Sequence, residues 1–228
     1  MRLYGTMKIT DKGILEVGDI NTLELVERYG SPLIVLDEKE IRDNIRKYKK
    51  AFNKYYPKSK VAYAGKAFMN RTLCKILKEE GCGVDVVSGG ELYTALQADF
   101  PVDMIYFHGN NKTISEIKMA LDAGIGRFMV DNLQEAQLIN DMTENKVNVI
   151  LRITPGIEAH THEFIQTGQI DSKFGVSIYK GRAIKAIEEI LKMEKLNLMG
   201  IHAHIGSQIF NMTSFGREVE IMLNFMNE

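Results

Sequence analysis

The sequence predicts an α/β protein whose parallel strands alternate with helices, arranged as an incomplete (β/α)8 TIM-type barrel rather than an open doubly wound sheet. Three observations carry that expectation. From residue 61 onward, short apolar runs with little polar alternation are each followed by an amphipathic segment of helical period. That is the pattern of strands buried on both faces beneath helices. The first strand–helix turn holds a lysine, Lys66, where a doubly wound nucleotide fold usually places glycines. Chemically active side chains recur at the C-terminal ends of different strands, at Lys66, Asp85, His108, Arg152 and His204, and a barrel collects such ends on one rim.

In chain order, Pro32–Leu36 reads as an apolar strand, and a helix with Ile41, Ile45, Tyr48 and Phe52 on one face separates it from the alternating series. Val61–Lys66 opens that series. Arg71–Glu80 carries Leu73, Ile76 and Leu77 on one helical face and stops at Gly81, a C-terminal signal. Val84–Ser88 is a strand, and Ser88 with Glu91 forms a capping-box pattern that opens a helix through Ala98. Met104–His108 is a strand; Thr113 and Glu116 repeat the box, and Ile117, Ala120 and Leu121 face inward until Gly124. Arg127–Val130 is a strand, and Asn132 with Glu135 resembles the box again. Val147–Thr154 is a strand, followed by the loop Pro155–Gly175, long for such a connection and of the kind that forms lids or subunit contacts. A helix spans roughly Gly181–Lys195, Leu198–Ile205 is a strand, and Val219, Met222, Leu223 and Met226 mark a last helix. This makes about six of the eight units a closed barrel needs. The helical pattern still runs at Glu228 with no capping glycine, so the expectation is the N-terminal part of a longer protein.

Composition narrows the function. The 228 residues are 45% apolar, with 29 basic and 30 acidic side chains and a net charge of −1. That balance argues against a nucleic-acid or membrane surface as partner. No apolar run has transmembrane length, and the N-terminus lacks the charged-then-apolar layout of a signal peptide. Cys74 and Cys82 sit outside any zinc pattern and read as reduced thiols of a cytoplasmic protein.

Lys66 is the most informative residue. In Val61-Ala62-Tyr63-Ala64-Gly65-Lys66-Ala67 it closes an apolar run. A desolvated lysine loses its proton more readily and can attack a carbonyl; the plainer reading is a strand-end lysine that snorkels to water. His202 and His204, two apart, share one face of a strand. A metal reading would need a third ligand; His160 and His162 could offer one, but no carboxylate or cysteine spacing supports it, and no metal is expected. Gly206-Ser207 offers backbone N–H groups and a hydroxyl suited to phosphate, or is an ordinary turn. Arg152 stays charged inside an apolar strand, so it meets either an internal carboxylate or an anionic ligand. Asp85 follows the same logic with opposite sign.

Together these motifs resemble the pyridoxal-phosphate decarboxylases of the alanine-racemase-like barrel fold. Tyr63-Ala64-Gly65-Lys66-Ala67 matches that family's Schiff-base lysine motif, with Gly65 and Phe68 as mild departures. His204-Ile205-Gly206-Ser207 matches its ring-stacking histidine and phosphate-contacting serine. Gly83–Leu92, Phe107–Lys112, Thr167-Gly168 with Asp171–Gly175, and Gly206-Ser207-Gln208 point to the branch that acts on meso-2,6-diaminopimelate.

The resemblance implies pyridoxal 5'-phosphate as cofactor, held by Lys66, Asp85, Arg152, His204 and Ser207, with Lys66 and His204 catalytic. It implies an amino-acid substrate, lysine and carbon dioxide as products, and a homodimer when full length. It also implies further segments downstream, on the last barrel strands and on a C-terminal β domain. Residues 1–31 would join that domain and 32–228 would form the partial barrel. Such a part would be inactive alone. The alternatives are a carboxynorspermidine, ornithine or arginine decarboxylase of the same fold, or a non-catalytic pyridoxal-phosphate-binding protein.

Overall fold

The computed structural model describes residues 2–156, 174–207 and 209–228. Ahead of the alternating series, β1 (Lys8–Ile9), β2 (Leu15–Val17) and β3 (Ile20–Asn21) pair antiparallel in a small sheet of their own, which the apolar pattern did not announce because the strands are so short. Asn21 caps α1 (Thr22–Tyr29). The strand expected over Pro32–Leu36 does not form: residues 33–37 are irregular and Ile34 is 88% exposed. Apolar character alone does not make a strand; it needs a neighbour whose N–H and C=O groups complete the ladder. Helix α2 (Glu38–Tyr55) begins instead, capped by Asp37, whose carboxylate accepts from the Glu40 N–H and from the backbone and hydroxyl of Thr6. One side chain thus joins the N-terminal sheet to the helix.

The series itself forms as expected. β4 (Ala62–Ala64), α3 (Arg71–Glu79), β5 (Gly83–Val86), α4 (Gly89–Leu96), β6 (Ile105–Phe107), α5 (Ile114–Ala123), β7 (Arg127–Val130), α6 (Leu133–Met142), β8 (Val147–Thr154), β9 (Val176–Ser177), α7 (Arg182–Leu191), β10 (Leu196–His202) and α8 (Thr213–Asn227) follow in order. Every pairing in the main sheet is parallel, and the strands run β4-β5-β6-β7-β8-β10 without reversal. A doubly wound sheet reverses its order at a switch point; an unreversed order is that of a barrel wall. β9 pairs only with the end of β8, Ile153 opposite Val176. It was missed because two residues carry no periodicity.

The face of the sheet that meets the helices is dry. Val84, Val86, Ile105, Phe107, Phe128, Val130, Val149 and Leu151 are buried, as are Leu77, Leu92, Ile117, Ile139 and Ile190 from the helices. Arg42 of α2 reaches Glu79 and Glu80, and Arg46 reaches Glu80, so ion pairs seat α2 against the end of α3.

Of the three expected capping boxes, one closes reciprocally. Thr113 and Glu116 exchange both bonds. Ser88 and Asn132 cap as expected, but the Glu91 carboxylate accepts from the Val87 N–H and that of Glu135 from the Asp131 N–H. Each reaches one residue further back, so it satisfies a donor in the strand-to-helix turn and ties strand end to helix start.

Four strands end earlier than the sequence predicts, β5 at Val86 and β6 at Phe107 among them, and two of these ends bear on the rim. β4 stops at Ala64, and Lys66 lies in the 3₁₀ turn Gly65–Ala67. β10 stops at His202, after an irregularity between Leu198 and Gly200, so His204 lies beyond the strand and not on a shared strand face.

Candidate active site

Parallel pairing in register brings the C-terminal ends of the strands together. Ala64 lies opposite Asp85, Val86 opposite Phe107, and His202 opposite Arg152. The turns after these strands therefore meet on one rim. Lys66, Asp85, His108, Arg152, His204 and Ser207, which the sequence singles out, all line one cavity of about 260 Å³ there, with His202, Asn110 and Phe174. His160, His162, Thr167, Gly168, Asp171, Ser172, Lys173 and Gln208 lie outside the described residues. Among the described residues, no group of three or more His, Cys, Asp or Glu converges as a metal site.

Lys66 reaches the rim because its turn packs closely. Gly65 is buried against β5, where a Cβ would come within 2.9 Å of the Asp85 carbonyl oxygen and of Met69 Sδ. A larger residue would lift the turn away. Lys66 itself is exposed, which corrects the expectation of an amine held dry at a strand end. Its position on the cavity wall, not burial, sets it apart.

The groups facing it are partly buried. Desolvation pushes the Asp85 carboxyl up to about 7, against the pull of the Lys66 charge and with a further push from Glu91. Burial drives His108 down to about 2, helped by His202 and by the charges of Lys112, Arg152 and Lys66. Burial likewise lowers His202 to about 3 and His204 to about 4, with Arg152 adding to both. The 3.7 Å approach of His108 Nε2 to Asp85 Oδ1 is therefore not an ion pair, since the imidazole stays neutral. His108 and His202 meet edge to face, ring centroids 4.7 Å apart at 75°. Among the described residues, Asp85 Oδ1 and His202 Nδ1 are buried without a hydrogen-bond partner, an unfavourable state for polar atoms inside a protein.

Arg152 projects from β8 into the same space. Asp131 Oδ1 lies 3.5 Å from its Nη1, and its Cζ sits 4.7 Å from the Phe174 ring centroid. The internal-carboxylate reading of this arginine thus holds, and its side chain also lines the cavity. Gly206 takes φ 141° and Gly109 φ 108°, conformations glycine adopts without strain, and they shape the loops beside Ser207 and Asn110.

Sequence reasoning missed Asp131, Glu135 as an ion-pair member, and Phe174. Asp131 directly follows the apolar run of β7, and Asp85 lies next to last in β5, so the strand-end rule applied evenly would have found it. A larger cavity of about 710 Å³ lies between the N-terminal sheet and α2, but Asp37, Arg42 and Arg46 on its wall are engaged with Thr6, Glu79 and Glu80, so they make a scaffold rather than a reactive site.

A rim of parallel strands that sets an accessible amine and a guanidinium among neutral imidazoles is the place where α/β-barrel proteins gather their sites. Residues 39–228 match the family model described as pyridoxal-dependent decarboxylase, pyridoxal binding domain. The chain belongs to that family. It is 49% identical over 218 residues to the diaminopimelate decarboxylase of Bacillus methanolicus, covering 94% of this chain and 50% of that protein. It is 46% identical over 231 residues to that of Bacillus subtilis, covering 100% of this chain and 53% of that one. The solved structure of diaminopimelate decarboxylase from Methanocaldococcus jannaschii in complex with L-lysine superposes with a TM-score of 0.88 at 39% identity, over 96% of this chain and 52% of that one. The chain spans about half the length of the curated relatives it matches.

Proposed function

We propose that this chain is the pyridoxal-phosphate-binding part of an enzyme that removes one carboxylate of meso-2,6-diaminopimelate as carbon dioxide and leaves lysine. One observation carries the reading: Lys66, Asp85, Arg152, His204 and Ser207, from strand ends far apart in sequence, line a single cavity. The names of its relatives and the lysine bound in the M. jannaschii structure support the substrate.

The residues present fit the cofactor. The amine of Lys66 is accessible for its aldehyde. Arg152 and the Ser207 hydroxyl are donors for an anion. Asp85 Oδ1 and His202 Nδ1 are buried polar atoms without a hydrogen-bond partner among the described residues. When bound, the cofactor supplies an electron sink for the pair released as the carboxylate departs. His204, kept neutral by burial, would lie against the ring without adding charge to it. Ser207 and the backbone N–H groups of its loop would anchor the phosphate. Arg152 would hold negative charge on the opposite wall. Asp85, poised near neutrality, would orient Lys66 and exchange a proton with it.

The same reading makes the full-length enzyme a cytoplasmic homodimer acting on an amino acid, with no nucleic-acid or membrane partner. Balanced charge supports the lack of a nucleic-acid partner, and among the described residues no helix is long and apolar enough to cross a membrane. Residues 1–31 would belong with a second domain and 32–228 with the barrel.

Borohydride reduction of the protein with pyridoxal phosphate, followed by peptide mapping, tests the assignment. The adduct is expected on Lys66. An adduct on another lysine, or none, rejects it. The 228-residue chain alone is expected to form no detectable lysine.

A further inference from the structure

Behind the cavity wall, four buried charges form a continuous row. Lys112 Nζ lies 2.6 Å from Glu135 Oε1. Glu135 Oε2 accepts from the Asp131 N–H at 2.9 Å. Asp131 Oδ1 faces Arg152 Nη1 at 3.5 Å, and Asp131 Oδ2 accepts from the Gly175 N–H at 3.0 Å. Asp131 is 5% exposed and does not line the cavity; Arg152 and Phe174 do. Gly175 can come so close only because it lacks a side chain: at φ +71° a Cβ there would stand 2.9 Å from the Arg152 carbonyl oxygen. Phe174 is held in turn, its carbonyl accepting from the Thr154 hydroxyl at 2.6 Å.

We propose that Asp131 is a positioning residue for the anion-holding wall of the site. One carboxylate fixes the Arg152 guanidinium with one oxygen and the backbone beside Phe174 with the other, so that cation and ring face the cavity as a unit. Among the described residues, Asp131 is the only carboxylate within 4 Å of Arg152, and Nη1 is the atom that hydrogen-bonds to it. Among the described residues, the remaining donors of the planar fork make no hydrogen bond to a carboxylate, which leaves them for a ligand's phosphate or carboxylate. Glu135, balanced by Lys112, holds the Asp131 backbone in place. A cation on a flexible side chain loses part of its binding strength to ordering; Asp131 removes that cost by holding Arg152 beforehand.

The inference rests on the proposed cofactor site, and the experiment separates the two. Pyridoxal phosphate affinity is measured by visible absorbance for the unmodified protein, Asp131→Asn, Asp131→Glu, Arg152→Met and the Asp131→Asn/Arg152→Met double variant, with borohydride mapping and melting temperatures in parallel. Asp131→Asn is expected to weaken affinity about tenfold, the scale of one charge-assisted contact. Asp131→Glu recovers part of that loss. On the Arg152→Met background Asp131→Asn adds nothing, because its effect passes through the arginine, and the label stays on Lys66 throughout. Unchanged affinity in Asp131→Asn, or the same loss on both backgrounds, overturns the inference. Should Asp131→Asn fail to fold, Asp131→Glu enters the same cycle, with a loss expected only where Arg152 is present. If the unmodified protein carries no label on Lys66, the cofactor reading falls. The inference is then judged by the melting temperatures without cofactor: non-additive losses for Asp131 and Arg152 uphold the pairing, and additive losses overturn it.

Discussion

Lys112 Nζ and Glu135 Oε1 stand 2.6 Å apart, with only 1% and 8% of their side chains exposed. The amine also donates to the carbonyls of Gly109 and Met129 at 2.8 Å each, and it lies 5.5 Å from the Phe107 ring centroid. Its donors are thus committed to the loop after β6, the end of β7 and the first turn of α6. Burial pulls its proton affinity down, and Glu135 opposes that. The pair is a joint between strand ends, set directly beneath the rim.

Removing one member should therefore cost far more than a surface ion pair would. Lys112→Met is expected to destabilise by about 3–5 kcal/mol, the range for an uncompensated buried charge. Glu135→Gln added to Lys112→Met should recover part of that, since no lone carboxylate remains. Urea unfolding midpoints check both, and a midpoint unchanged in Lys112→Met would contradict the joint.

Stability should fall as the solution is acidified from pH 6.5 toward 4. His108, His202 and His204 titrate near 2, 3 and 4 when folded against the ordinary 6.5, so between those limits the unfolded chain binds the protons and their penalty grows as pH falls. Asp85 works the other way: raised from 3.8 to about 7, it holds its proton in the folded protein, and its penalty grows as pH rises across that window. Near pH 5 three protons are taken up on unfolding and one is released, a net uptake of roughly two. Urea midpoints at pH 7 and pH 5 measure this. A midpoint that is equal or higher at pH 5 would refute the buried, neutral histidines.

Gly126 is expected to tolerate no side chain. Its Cβ would fall 2.3 Å from the Asp103 carbonyl oxygen, a backbone atom that cannot swing aside, and its N–H donates to the Val102 carbonyl at 2.7 Å. Gly126→Ala should destabilise by about 1–3 kcal/mol without altering the cofactor cavity, which it does not line. Thermal unfolding is the check, and a melting temperature equal to the unmodified protein's would show that the loop yields.

Ser207→Ala should weaken pyridoxal phosphate binding by up to about tenfold, the scale of one lost hydrogen bond, while the borohydride adduct stays on Lys66. A visible-absorbance titration reads the affinity. Unaltered affinity would remove Ser207 from the site.

Much of this was legible in the chain because it is local. The apolar runs at 84–88, 104–108, 127–130 and 147–154 became β5 to β8, since short β-branched and aromatic runs between turn signals favour strands packed beneath helices. Ser88, Thr113 and Asn132 cap their helices as their side-chain chemistry dictates. Lys66, Asp85, His108, Arg152, His204 and Ser207 share one cavity because parallel pairing gathers strand ends. What went astray depended on neighbours. The run 32–36 finds no partner strand among the described residues, and Lys66 is lifted into solvent by a turn packed on the Asp85 carbonyl.

By itself, then, the sequence determined the alternation, the unreversed barrel order it implies, and the chemical identity of the rim, because periodicity and capping act over a few residues. Only the tertiary structure decided which charges face each other. The pairings of Asp131 with Arg152 and of Lys112 with Glu135 span 21 and 23 residues, and no local rule selects a partner at that separation. The same holds for burial, which makes the three imidazoles neutral and leaves Asp85 half-protonated near pH 7: desolvation is a property of everything packed around a group, not of its place in the chain.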